Sequence, residues 1–231
     1  MTDLTLKLPK RIEPKSSCLL RAAQALEYTE ETTKSFVDAF NAIRKERKAH
    51  GIATHEEMDL LRAMLVFACA GLDSITKQVI KDCYALISEK SPIATSTLHS
   101  HFSRKLSRDN EGAYDTKLLA RILLSKSSPQ KEIISFVIQD LTSGSLQSVD
   151  ELLRVIGFLG IDPGKLSIDH SELKKIFEAR NRIIHEMDIF FDSAGRKRRT
   201  HTRAETLRRT QCILSIAASI LREVDAIIME S

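Results

Sequence analysis

The sequence predicts an all-α protein, on the strength of scarce turn formers, a helix-favouring composition and long apolar stripes at three- and four-residue steps. Only 5 prolines and 8 glycines punctuate 231 residues, and there is no tryptophan, so the turn material of an all-β fold is missing. Leu, Ile, Ala, Lys, Arg and Glu dominate instead, all but isoleucine among the better helix formers. A hydrophobic share of 42% beside 29% charged residues is that of an ordinary globular chain.

The elements follow in order. Residues 1–16 are polar, contain Pro9 and Pro14, and read as an N-terminal arm. From Ser17 to about His50 a helical pattern runs through Leu19, Ala22, Leu26, Phe36, Phe40 and Ile43, with Gly51 placed to end it. A second helix, roughly 56–89, has the clearest period: Leu61, Leu65, Ala68, Leu72, Ile75, Val79, Cys83 and Leu86. Ser91-Pro92 closes it. Residues 91–169 are different, with short apolar segments separated by turns such as SRDNEGAYD and TSGS. Ser128-Pro129 looks like a helix start, and Ser148 with Glu151 makes a capping box. This stretch is expected to be an insertion of three or four short helices. A third long helix spans about Ser171 to Phe190, with Leu173, Ile176, Phe177, Ile184 and Met187 on one face. The last opens at Thr202 with Glu205 and carries Leu207, Leu214, Leu221, Val224 and Ile228. Four long amphipathic helices bury their stripes in a bundle. The expected architecture is thus a core of 17–90 and 170–229 with a helical insertion between core helices 2 and 3.

No apolar run of about 18 residues is present, so no membrane span is expected. The first residues lack the apolar stretch of a secretory signal, and Cys18, Cys69, Cys83 and Cys212 form no C-x-x-C pair. Reduced core cysteines in a cytoplasmic protein, with no structural zinc, are the expectation. The net charge of +4 is modest but uneven. Arg196, Lys197, Arg198, Arg199 and Arg203 fall in a stretch without an acid, and Arg44, Lys45, Arg47 and Lys48 are interrupted only by Glu46. Such clusters suit a polyanion, and the first is taken as RNA-binding.

Within FEARNRIIHEMDIF, Arg180 falls inside the apolar stripe of its helix, where an arginine must be paired, snorkel, or face something other than plain core. Asn181 and His185 are four apart and within hydrogen-bonding reach. Arg180 and His185 differ by about 140° around the axis and about 7.5 Å along it. A compact site is easier if two such helices face each other across a two-fold axis.

Arg180, Asn181, three residues and His185 resemble the R-N-x-x-x-H form of the HEPN superfamily signature, on the third core helix of a bundle after an insertion. The resemblance covers about 17–90 and 170–229 and implies a metal-independent endoribonuclease, without cofactor, whose composite site forms across a homodimer. It further implies a toxin–antitoxin or phage-defence setting, with an antitoxin or defence-complex partner. By that resemblance His185 is the general acid or base at the 2′-hydroxyl and leaving oxygen, Arg180 holds the scissile phosphate, and Asn181 orients either. An imidazole suits the role because its unperturbed pKa of about 6.5 makes both protonation states accessible near neutrality. Toxins of this superfamily silenced by nucleotidyltransferases usually carry a tyrosine two residues after the histidine; Met187 stands there, so that control is not expected. The alternative reading keeps the fold and drops the chemistry: a helical nucleotide- or RNA-binding or dimerisation module of a larger complex.

Other candidates are weaker. His99 and His101 lie two apart without a third ligand and read as a surface turn; His170 reads as a helix start, and His201 as a residue within reach of RNA. Asp73 is a polar residue on the second helix that either reaches the cleft or is solvated. GIDPGK lacks the spacing and the hydroxyl of a phosphate loop, so ATP hydrolysis is excluded.

Overall fold

The computed structural model describes residues 3–106, 116–166, 168–190, 198–199 and 201–230, and among them every regular element is a helix. A 3-10 turn at Ser17–Leu19 leads into α1, Leu20–Glu46, followed by α2, His55–Lys90. Four shorter helices come next: α3, Pro92–Leu106; α4, Thr116–Leu124; α5, Pro129–Ser143; and α6, Val149–Phe158. After a 3-10 turn at Pro163–Leu166 come α7, His170–Glu186, and α8, Arg203–Met229. Among the described residues the one extended pairing is an isolated antiparallel bridge between Ile189 and Arg198. Among the described residues no helix is long and apolar enough to cross a membrane.

Helix starts are set by side chains that satisfy the orphan amides of the first turn. At α2, Thr54 accepts from the Glu57 amide while the Glu57 carboxylate accepts from the Thr54 amide. Ser148 and Glu151 do the same for α6. Ser128 caps α5 ahead of Pro129, Asp169 caps α7, and Thr202 caps α8. The first helix stops at Glu46, short of the expected His50, because the chain turns through Lys48 and Gly51, both at positive φ. Buried Arg44 holds that turn by donating to the carbonyls of Ala49 and Gly51. The turn SRDNEGAYD lies outside the described residues.

α1 and α2 run antiparallel, pinned at one end by Arg21 with Asp82 and at the other by Arg44 with Glu57. Midway they approach closely at Gly71: a Cβ there would lie 2.3 Å from the Thr29 methyl. α8 packs on α2 and α1, while α5 and α7 also pack on α2 and α6 contacts α7. α2 is therefore enclosed on several sides, and its buried positions, among them Leu61, Arg62, Met64, Leu65, Ala68 and Cys69, cover more than one stripe. Residues 91–169 pack into the same apolar cluster: Val137, Leu152, Ile156 and Phe158 join Leu65, Leu72, Leu214 and Leu221. The N-terminal arm is tied down, with Asn41 bonding both backbone groups of Leu4 and Asp225 accepting from the Lys15 and Ser16 amides. All four cysteines are free; Cys69 and Cys83 are buried.

Candidate functional site

α7 buries only its first two-thirds, through Leu173, Ile176, Phe177 and Ala179. Ile184 is 41% exposed and Met187 62% exposed, so the expected apolar face does not continue to the helix end. The last turn of α7, carrying His185, lies at the surface. Ile184, Met187 and Phe190, at or just beyond that turn, are each partly exposed.

The three residues of the signature sit differently. Arg180 is half-buried and its Nη1 donates to Asn181 Oδ1 at 2.9 Å. Its charge reaches Cys69 on α2: burial pushes that thiol up to about 12, against the pull of the Arg180 guanidinium. Asn181 donates to the Gln147 carbonyl at 3.3 Å, in the turn ahead of α6. His185 is exposed, and no described residue bonds to it. A single chain thus brings Arg180 and Asn181 together and leaves His185 apart from them.

Beyond α7 the chain reverses through two consecutive left-handed residues, Met187 at φ 50 and Asp188 at φ 57. The turn carries Asp188 into the interior, where it is fully buried. Its Oδ2 accepts from Arg62 Nε at 2.8 Å and lies 2.8 Å from His201 Nε2. Its carbonyl accepts from the Arg199 amide, and the Arg199 carbonyl accepts from Arg62 Nη2. Arg62 also reaches Asp59, which holds Arg198 at 2.6 Å. Burial alone would raise the Asp59 pKa, but the Arg198 bond and charge, with Arg62, bring it below the usual range. Arg199 stacks over the Phe190 ring, 4.4 Å from its centroid, and lies 3.7 Å from Glu186. Arg198 and Arg199 of the basic segment are therefore anchored beside the end of α7.

A cavity of about 920 Å³ opens at this corner, with Ile52 and Met58 on its walls and Arg62, Arg198, Arg199 and Arg203 around it. Arg203 has no partner among the described residues. Arg196 and Lys197 lie outside the described residues.

Several expectations are corrected here. Arg44 is no surface phosphate holder: it is 1% exposed and paired with Glu57, which also takes Arg47. Burial pushes the Glu57 carboxyl up, but the Thr54 amide and Arg44 pull it below its ordinary value. His201 belongs to the Asp188 cluster rather than to a solvated loop. Asp73 fixes the turn before α6 by accepting from the Leu146 amide, and pairs with Lys77. His99 and His101 lie in α3, and His101 is buried. His170 does begin α7. Among the described residues no group of three or more His, Cys, Asp or Glu is arranged to hold a metal.

The Asp188–Arg62 pair was not anticipated. Its signal was an arginine next to Leu61 inside the apolar stripe of α2, a position that requires a buried partner. Comparison with models of known families, with curated proteins and with solved structures returned no match for the chain.

Proposed function

We propose that this chain is a metal-independent endoribonuclease of the HEPN type, acting as a homodimer through Arg180, Asn181 and His185. The observation that carries the reading is the unbroken α7 helix, which presents R-N-x-x-x-H with His185 exposed and unpartnered among the described residues and Arg180 spending one N–H on Asn181. Capacity is thereby left for a phosphodiester. Five residues of helix separate the two groups too widely for one compact site, whereas a two-fold axis beside the last turn brings two of each together. The exposed Ile184, Met187 and Phe190 suit burial against a second copy there.

In such a site one His185 takes the proton from the RNA 2′-hydroxyl as its oxygen forms a bond to the adjacent phosphorus. The P–O5′ bond breaks, and the partner's His185, protonated, supplies the proton to the leaving oxygen. Arg180 stabilises the charge gathered on the non-bridging oxygens, which a planar guanidinium spans with two N–H groups. Arg198, Arg199 and Arg203 around the neighbouring cavity, with Arg196 and Lys197 in the same segment, hold flanking phosphates of single-stranded or looped RNA. A toxin or phage-defence role, with a restraining partner, follows from the HEPN resemblance.

A second reading, a non-catalytic helical RNA-binding or dimerisation module, is favoured by one contact. Asn181 ties Arg180 to the Gln147 turn, as a structural seam does. End-group analysis separates the two. The nuclease reading expects 2′,3′-cyclic phosphate (or its opened form) and 5′-hydroxyl termini from RNA incubated in EDTA. Intact RNA that is nevertheless bound would favour the module. A solution mass at the monomer value under assay conditions would remove the composite site.

A further inference from the structure

A separate cluster lies in residues 91–169 and owes nothing to the nuclease reading. α3 and α6 pack against each other, and a cleft of about 330 Å³ opens between them. On α3, Thr97, His101 and Arg104 follow at four- and three-residue steps, and Ser96 and Ser100 at four, so all project to one side. α6 contributes Arg154, Phe158 and Gly157, whose missing side chain leaves Thr97 uncovered; a Cβ there would lie 3.6 Å from Thr97 Oγ1.

His101 is 3% exposed and meets Phe158 edge-on at 5.2 Å. Arg104 Nη2 lies 3.2 Å from His101 Nδ1. A guanidinium only donates, so Nδ1 accepts and the hydrogen of the neutral ring sits on Nε2. That buried N–H makes no hydrogen bond; the nearest carboxylate oxygen, on Asp140, is 3.4 Å away. Asp140 is itself engaged by Arg154 and Lys105. Burial, then the charge of Arg154, depresses the His101 pKa.

Ser96, Thr97 and Ser100 bond to no described residue, so their hydroxyls remain open to a ligand. Three hydroxyls without a partner among the described residues, beside the Arg154 guanidinium in one cleft, make a donor set for an oxyanion. We propose that the α3–α6 cleft binds a phosphate group, held by Ser96, Thr97, Ser100 and Arg154 with His101 on its wall. Its source is either a small phosphomonoester or a phosphate of an RNA backbone.

The test titrates the full-length protein with inorganic phosphate, with ribose 5-phosphate and with an uncleavable 2′-O-methyl RNA, reading the His101 ring resonances by NMR. Saturable shifts of those resonances are expected, and the Thr97→Ala and Ser100→Ala double variant, which removes no packing contact of the core, should weaken binding about tenfold, the worth of a charged hydrogen bond. Arg154→Gln should do at least as much. Tighter binding of ribose 5-phosphate than of the RNA assigns a small phosphomonoester; the reverse, cancelled by the same variants, assigns an RNA phosphate. Absence of any shift at millimolar ligand, or binding that the double variant does not weaken, overturns the proposal.

Discussion

Asp188→Asn is the sharpest probe of the corner beside α7. Asparagine tolerates the left-handed backbone at φ 57 and matches the shape of aspartate, so the change removes charge and little else. Arg62, 6% exposed, then loses its 2.8 Å carboxylate and keeps only Asp59 at 3.1 Å and the Arg199 carbonyl. Breaking a buried pair by removing one partner costs about 3–5 kcal/mol, and the surviving Asp59 contact sets the lower end, about 3 kcal/mol. For a chain of this size that lowers Tm by about 6–12 °C. Denaturant melts and calorimetry on wild type, Asp188→Asn, Arg62→Leu and the double variant give the coupling, expected at about 1–3 kcal/mol, with the double variant more stable than Asp188→Asn alone. Hydrogen exchange at the Arg199 amide, which donates to the Asp188 carbonyl, should accelerate in the single variant. A loss below about 1 kcal/mol, the range of a surface ion pair, would refute the reasoning that this cluster anchors the basic segment.

Three further outcomes are expected. His101, whose folded pKa lies below its unfolded 6.5, binds fewer protons folded than unfolded just below that pH. Stability should therefore fall as pH drops beneath about 6.5, and His101→Gln should flatten that slope in pH-dependent melts. Glu30 is raised to about 7 by burial and by Glu27, so its neutral form is favoured in the fold; stability should decline between pH 4.5 and 7, and Glu30→Gln should be more stable than wild type above pH 7 but not below 4.5. Gly160, at φ 72 with Ser91 Oγ 2.2 Å from where a Cβ would lie, should not tolerate alanine: Gly160→Ala is expected to cost at least about 1 kcal/mol in denaturant melts.

Periodicity made the long helices legible, because α1, α2 and α8 bury apolar residues at steady helical steps, and the caps at Ser128, Ser148 and Thr202 announced the starts of α5, α6 and α8. It misled at the end of α7, where Ile184 and Met187 keep the period but are exposed. Charge was the least legible property. Arg44 and His201 look like surface residues in the chain, yet each is drawn inward by a carboxylate, Glu57 or Asp188, that sequence spacing does not connect to it. The motif residues Arg180, Asn181 and His185 could be named from the sequence; the route of Asn181 to Gln147 could not, since it depends on how the α6 turn meets α7.

The central claim is that His185 and Arg180 act together on one RNA linkage without a metal. Single-turnover cleavage of end-labelled RNA in excess EDTA, by wild type, His185→Ala and Arg180→Ala, all shown to be folded and of equal solution mass, tests it most directly. Cleavage by wild type is expected, with a fall of about 10²–10⁴-fold for His185→Ala and on the order of 10²-fold or more for Arg180→Ala. Equal rates in all three preparations, or no cleavage by wild type, would contradict it.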